Sequence, residues 1–467
     1  MSSTSPGKFA PGVRPPMRNG TVVLMVPSIT LASHNLIKYL GINPLSALHI
    51  ITQCQINGPE NRAVLFSVTE ERYKYFTDLK QYGETKLPFY DMADAKALYM
   101  LLGHSHWSRK HKPFLGCACG KGDCNNDNHQ CVQWTDETYK EKIKKSSLRW
   151  SKRDAIARLR KEEYTISDHR EWCDKRNDGI CHFGVVPETY NFSSTIRYNV
   201  FHGRGNVCKK IIAYIRKILG GNYENLEQFA LFLQTIKGWG DYEISPWLTG
   251  DGVARLKGVH IKEFTHQIEE VTRMLSALCL PHEVKYINIA LLSYTKVSKM
   301  LGKIFIDEYD GVKDVLSGDP SITSSSSEEN IARAFVLAYK SSVKEFYDAG
   351  MKSFLTDSST GDGETFYVHN LRFYMPSIID DTYKKHKLGP GIWSMEGFEY
   401  KNAQSKRAVY THSNRKGNLP AQSLAHLYLI YTMGRQQQRK PKKNKKKTME
   451  MLPTINENAV DAHVELV

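Results

Sequence analysis

A compact group of potential metal ligands is the strongest constraint on this chain. Five such side chains lie within fifteen residues: Cys117, Cys119, Cys124, His129 and Cys131. Glycines in and beside this stretch allow the tight turns that a tetrahedral site requires. Thiolates at this density mainly hold Zn²⁺, so the segment predicts a structural zinc site. The spacing is not a regular pair of Cys-x-x-Cys motifs, and the alternative is an irregular, cysteine-rich surface loop.

An acidic corner precedes the cysteines. The apolar run of residues 87–90 ends at Asp91, and Asp94 stands where a helical pattern over residues 95–103 begins. In many α/β enzymes a carboxylate at such a strand-to-helix corner faces the catalytic cleft. Carboxylate oxygens and thiolates favour different metals, so the two features predict two separate metal sites.

The length and the net charge of the chain limit the classes of function that fit it. At 467 residues the chain exceeds one ordinary hydrophobic core, which favours several domains or an enzyme core with a large insertion. Its 64 Lys and Arg exceed its 49 Asp and Glu, giving a formal charge of +15. Such an excess attracts polyanions, most often nucleic acid, and charge alone leaves DNA and RNA equally open. A basic ribosomal, viral or membrane-surface protein would show the same balance.

Cysteine usage and hydropathy indicate a reduced, soluble protein. Five of the nine cysteines are widely separated in the sequence: Cys54, Cys173, Cys181, Cys208 and Cys279. This is not the pattern of a disulfide framework. Residues 1–20 contain no apolar signal region and are predicted to form a disordered lead. No apolar run reaches the length of a membrane span, so we expect no membrane partner.

The pattern of apolar residues predicts a small strand-rich region followed by helices. Strands are expected at residues 21–26, 63–68 and 87–90, with a helix at residues 47–55. Helices are expected from Thr138 onward and at residues 207–219, 226–236, 261–280 and 284–306, and a further helix after Ser327. The centre of the chain is therefore predicted to be mostly helical.

Two basic stretches are candidate nucleic-acid contacts. The first follows Thr138 and includes Lys152 and Arg153; its alternative is an ordinary solvated helix face. The second is the tail at residues 435–447, which includes Lys442 and Lys443. Like charges without apolar partners cannot fold alone, so the tail indicates nuclear localisation or nucleic-acid binding, with a solubilising tail as the alternative.

A third constellation lies near the end of the chain. His369 falls in the segment before a Trp393-Ser394-Met395-Glu396-Gly397 motif. If residues 395–407 are helical, Glu396 and Glu399 share one face, flanked by Lys406 and Arg407. These acids would complete a divalent-metal site or form ion pairs within their own helix.

The order of these motifs resembles the catalytic core of the V(D)J recombinase and its Transib-like transposase relatives. The resemblance covers residues 86–131 and 365–418, and it implies an RNase H-like enzyme of the DDE type that cuts and joins DNA. By this resemblance Asp94 matches the second metal-binding acid, and Glu396 or Glu399 matches the third. No Asp occurs before Asp78, where the first acid of the family would stand.

The resemblance also implies the metals and their ligands. Mg²⁺ or Mn²⁺ would serve catalysis at the acids, because two such ions activate the nucleophile and stabilise the leaving oxygen. The zinc site of the family joins cysteines after the second acid to two histidines before the third. Cys117, Cys119 or Cys124 with His369 would be the counterpart, and Tyr374 stands at the second histidine position.

Together these features predict an α/β fold: a partial RNase H-like core with a large, mainly α-helical insertion and a small zinc-binding segment. The predicted divisions are residues 1–20, 21–110, 111–135, 136–364, 365–434 and 435–467. The first hypothesis is a nuclear, transposase-derived DNA-binding protein, with strand cleavage if a first acid exists and a homodimer as a candidate assembly. The alternatives are a zinc-stabilised nucleic-acid-binding or scaffold protein, and an accessory protein of viral or mobile-element replication.

Overall fold

A computed structural model describes the helical centre of the chain and several short strands. The described residues are 2–4, 22–29, 48–56, 81–82, 85–86, 103–104, 134–181, 196–240, 247–248, 256–307, 309, 328–356, 366–394 and 396. The chain divides into two units, Met1–Gln404 and Ser405–Val467, and the described residues all belong to the first. Within these residues the protein is mainly α.

A pair of antiparallel helices opens the helical region. Helix α1 spans Asp136–Arg160 and α2 spans Ile166–Arg176. The hydroxyl of Thr135 accepts a hydrogen bond from the Thr138 amide, which caps α1. Thr165 and Asp168 form a capping box at the start of α2. Both helices therefore begin at caps that the local sequence specifies, and we call the pair the α1–α2 hairpin.

Six further helices follow the hairpin: α3 (Val200–Leu219), α4 (Tyr223–Thr235), α5 (Gly258–His266), α6 (Ile268–Leu278), α7 (Pro281–Leu301) and α8 (Glu328–Met351). Asn199 and Asn222 cap α3 and α4 through their side-chain oxygens, and Pro281 opens α7. None of the helices in the described part of the chain is long and apolar enough to cross a membrane.

The core lies where α3, α7 and α8 pack together. Helix α7 packs against α3, α6 and α8. Ile211 and Ile215 of α3, Leu291 of α7 and Phe335 of α8 are fully buried in one apolar cluster. Burial of this apolar surface is the main force that stabilises the helical region.

The last helical segment is interrupted by a π-helical turn. Helix α9 (Phe366–His369) continues through the turn Asn370–Tyr374 into α10 (Met375–His386), and a 3₁₀ turn follows at Pro390–Trp393. Arg197, only 3% exposed, donates to the Asp381 carboxylate over 2.6 Å. This ion pair joins the residues before α3 to α10.

The described strands form two antiparallel sheets. Strands β1 (Ser2–Thr4), β2 (Val22–Ile29) and β3 (Leu48–Ile56) are ordered β1-β2-β3, and β4 (Gln81–Tyr82) pairs with β5 (Thr85–Lys86). The register aligns Leu24 with Ser3 on one side and with Cys54 on the other. A bulge between Val26 and Pro27 fits the missing amide hydrogen of proline.

The structure confirms the predicted helical centre, whereas the observed strands differ in part from the predicted ones. The predicted strand at residues 21–26 corresponds to β2, but the helix predicted at residues 47–55 was wrong because these residues form β3. The β-branched Ile50, Ile51 and Thr52 favour a strand there. Residues 2–4, inside the predicted disordered lead, form β1. The predicted strands at residues 63–68 and 87–90 lie outside the described residues.

A close backbone approach generates a test of the fold. A Cβ added at Gly391 would lie 2.6 Å from the carbonyl oxygen of Gly302, whereas one added at Gly240 would meet nothing within 4 Å. We expect Gly391→Ala to lower the free energy of unfolding by about 1–3 kcal/mol because backbone must move. Urea denaturation measures the change. Gly240→Ala is the control, and an equal effect of both substitutions would contradict the packing described.

Candidate metal centre

Two potential metal ligands share one face of α2. His169 and Cys173 are four residues apart, so their side chains lie on the same side of the helix. Both residues are buried, and the Sγ of Cys173 lies 3.6 Å from the Nε2 of His169. The side of α2 that faces inward therefore carries a soft thiol beside an imidazole nitrogen.

A turn after α2 brings Cys181 to the same point. Asp178 and Gly179 both adopt positive φ angles, of 49° and 75°, which reverse the chain directly after the helix. The Gly179 amide donates to the Cys173 carbonyl over 3.0 Å, so the turn folds back on the ligand-bearing helix. The potential ligand atoms of His169, Cys173 and Cys181 then all lie within 4.8 Å of one another.

Backbone pairing fixes the position of Cys181. Its amide donates to the carbonyl of Gly103 over 2.8 Å, and Ile180 forms an isolated antiparallel bridge with His104. The side-chain amide of Asn177 donates to the carbonyls of Lys142 and Ile180. The turn is thereby joined both to α1 and to residues 103–104.

Hydroxyl groups surround the imidazole of His169. The Oγ of Ser146, on α1, lies 3.0 Å from Nε2 and 3.7 Å from the Sγ of Cys173. The Tyr164 hydroxyl lies 3.1 Å from Nδ1. With Nε2 facing the thiols, Nδ1–H can donate to Tyr164, which is the kind of outer contact that orients a ligating histidine. Ser146 connects the group to α1.

The electrostatics of the group favour a thiolate. The pKa of Cys173 is lowered to about 5, mainly by a hydrogen bond from Cys181 and further by His169 and Ser146, while burial acts in the opposite direction. By contrast, burial raises the pKa of Cys208, on α3, to about 12. Because metals bind the thiolate form, Cys173 offers a ligand at neutral pH without displacing a proton.

The His169–Cys173–Cys181 group could hold a metal ion such as zinc. Zinc binds histidine nitrogen at about 2.0–2.1 Å and thiolate at about 2.3 Å, which sets the ligand-to-ligand distance in a tetrahedral site at roughly 3.5 Å. The 3.6 Å between Cys173 and His169 matches this distance. Two thiols with one imidazole also suit zinc better than Mg²⁺ or Mn²⁺, which prefer oxygen ligands.

Most of the predicted site residues lie outside the described part of the chain. These are the catalytic candidates Asp94 and Glu399, the metal candidates Cys117, Cys119, Cys124, His129 and Cys131, and the basic candidates Lys406, Arg407, Lys442 and Lys443. Their predicted roles stay predictions.

Four predicted residues are described. Glu396 is exposed, and its amide donates to the Ser394 hydroxyl over 3.3 Å. His369 is fully buried, with its ring 4.8 Å from that of Phe373, and it belongs to no group of three potential ligands within the described residues. Lys152 and Arg153 are exposed on α1, and their role in binding nucleic acid stays a prediction.

Sequence reasoning missed the His169–Cys173–Cys181 group. In the sequence, Cys173 and Cys181 belong to the widely separated cysteines and carry no cluster signal. The local signal was a histidine and a cysteine four residues apart in a helical pattern, followed by a second cysteine just after an Asp-Gly pair. Short spacing within a helix carries less information than a dense cluster, because core cysteines are common.

Comparison with known proteins leaves the family open. No protein-family model matches this chain, and no curated protein matches it. The resemblance to the V(D)J recombinase and Transib-like transposases stays a prediction from short motifs.

The ligand group predicts a specific loss of metal. Cys173→Ser should reduce zinc bound by the full-length protein by about one equivalent, because serine cannot supply a thiolate. Elemental analysis of the dialysed protein measures the change. Cys279→Ser removes a half-buried thiol outside the group and should leave the zinc content unchanged. Equal zinc content in Cys173→Ser and the unaltered protein would rule out this centre.

Proposed function

We propose that this chain is a metal-stabilised nucleic-acid-binding protein whose α1–α2 hairpin contacts the phosphate backbone. The basic surface of α1 carries the proposal. Ten Lys and Arg against two acids lie between Lys140 and Lys161. Eight of these ten basic residues are exposed. Charge at this density attracts phosphates and releases their counterions.

Ion pairs within the hairpin leave most of this charge facing solvent. Lys142 contacts Asp178 over 2.5 Å, and Arg158 contacts Asp154 over 2.7 Å. An ordinary solvated helix carries acids and bases in near balance, so that neighbouring side chains pair with each other. The bias of α1 toward one sign therefore favours a polyanionic ligand over a solvated face.

The metal group would give this surface a fixed position. Ser146 lies on α1 between the basic residues, and its hydroxyl contacts both His169 and Cys173. An ion held by His169, Cys173 and Cys181 would join α2 to the turn, and Ser146 and Asn177 would extend that connection to α1. Zinc would act here as a structural ion that orders the binding surface.

The predictions of DNA cleavage and nuclear import remain separate proposals. An RNase H-like core of the DDE type would require Asp94 and Glu396 or Glu399 to share a pocket for Mg²⁺ or Mn²⁺. Of these acids only Glu396 lies within the described residues. Nuclear localisation depends on the basic tail at residues 435–447, and a homodimer is a further prediction.

Charge removal on α1 tests the proposed function. Replacing Lys152 and Arg153 together by Gln should weaken binding to nucleic acid about tenfold at low salt and reduce the slope of log affinity against log salt by roughly 2, for every sequence alike. Fluorescence anisotropy with labelled oligonucleotides measures both quantities. Lys262→Gln, which removes an exposed charge on α5, is the control. The proposal fails if the unaltered protein binds no oligonucleotide, or if the α1 variant behaves as the control does.

A further inference from the structure

One side of the α1–α2 hairpin combines cationic and aromatic side chains. The Lys145 ammonium lies 3.4 Å from the carbonyl oxygen of Arg176. One helical turn further along, the Arg149 guanidinium lies over the ring of Trp172 at 5.2 Å from its centroid. These two contacts lie one helical turn apart and connect the two antiparallel helices. We call Lys145, Arg149, Trp172 and Arg176 the α1–α2 seam.

The aromatic part of the seam is supported from the inside. The Trp172 ring is stacked against His169, with ring centroids 6.2 Å apart and planes 18° from parallel. Trp172 itself is only partly buried, whereas His169 is 1% exposed. A partly exposed indole that rests on a ligand of the metal group is held in a fixed orientation, which reduces the entropy lost when another ring stacks on it.

The cationic part of the seam lies beside the ring. The guanidinium of Arg149 is partly buried, where it contacts Trp172 and forms a side-chain hydrogen bond with Tyr164. Lys145 and Arg176 are both exposed, and they contact each other across the two helices. The seam thus offers a partly exposed ring with two exposed charges close to it.

We infer that the α1–α2 seam binds single-stranded nucleic acid, with an unpaired base stacked on the part of the Trp172 ring that His169 and Arg149 leave exposed, and its flanking phosphates held by Lys145 and Arg176. This inference rests on the proposed function and narrows its ligand. A base inside a duplex already has both faces covered, so an aromatic platform favours unpaired bases. Positive charge beside the ring supplies the attraction to the backbone that stacking needs.

Other ligands fit the seam less well. An acidic peptide would pair with the three cations but would leave the indole without a stacking partner. A duplex would contact the lysines of α1 but could not present an unpaired base to Trp172. Only a single strand uses both kinds of group, because it carries a phosphate and an exposed ring in every nucleotide.

Substitution of Trp172 in the full-length protein tests the inference. Trp172→Leu should weaken binding to a thymidine homopolymer or a uridine homopolymer about tenfold, which corresponds to one lost stacking contact. The affinity of Trp172→Leu for a duplex of the same length should stay within about twofold of the duplex affinity of the unaltered protein. Trp172→Phe, which keeps a ring, should restore most of the single-strand affinity. Separate measurements with the two homopolymers show whether DNA, RNA or both are bound.

Two controls keep folding and surface effects apart from stacking. The zinc content of Trp172→Leu should equal that of the unaltered protein, which shows that the metal group is intact. Tyr223→Leu removes an aromatic ring on α4 that is 63% exposed, and it should leave both affinities unchanged.

The possible failures are distinguishable. If no oligonucleotide binds, both the proposed function and this inference fail. If duplex and single strands bind equally and Trp172→Leu weakens neither, the inference is overturned while the proposed function stands. If Trp172→Leu loses zinc, the test passes to Trp172→Phe, provided that this variant keeps its normal zinc content. Any aromatic ring can fill a stacking role, so a tenfold loss of single-strand affinity in Trp172→Phe would contradict the inference.

Discussion

We propose that the α1–α2 hairpin depends on the convergence of His169, Cys173 and Cys181. Helix α1 has 25 residues, yet only Tyr139, Ser146 and Ala157 are buried. So little burial cannot by itself hold a helix of this length in place. A structural zinc ion contributes on the order of 10–16 kcal/mol of apparent binding free energy, comparable with the whole stability of a typical domain. An ion at this group would therefore decide whether the hairpin is ordered.

The rest of the helical region depends on a different force. Helices α3, α7 and α8 bury a continuous set of aliphatic and aromatic side chains, and the Arg197–Asp381 ion pair connects this region to α10. Within the described residues, no group of three potential metal ligands lies in this region. The protein thus combines an apolar helical core with a basic hairpin organised by polar contacts and thiols. This division would let a sparsely packed, highly charged surface keep the defined shape that the proposed phosphate binding requires.

Helices could be predicted from the sequence more reliably than the metal group. Apolar residues recur with helical spacing through α3, α4 and α7, and tertiary packing reinforces that preference. The helix predicted at residues 47–55 was wrong in part because a short apolar run fits either a helix or a strand, and residues 48–56 form β3. The metal group depends on the Asp178–Gly179 turn and on the pairing of Cys181 with Gly103. Such long-range contacts leave no periodic signal in a single sequence, whereas the dense cluster at Cys117–Cys131 is visible from spacing alone.

Amide hydrogen exchange, measured before and after zinc is added to the metal-free protein, tests the central claim most directly. We predict that exchange slows about tenfold or more in α1 and α2, because an ion held by His169, Cys173 and Cys181 would join α2 to the turn and the contacts of Ser146 would extend that connection to α1. Exchange in α7 and α8 should stay unchanged, because their apolar contacts do not involve the ion. Zinc-independent exchange throughout α1 and α2 would contradict the claim that the metal group orders the hairpin.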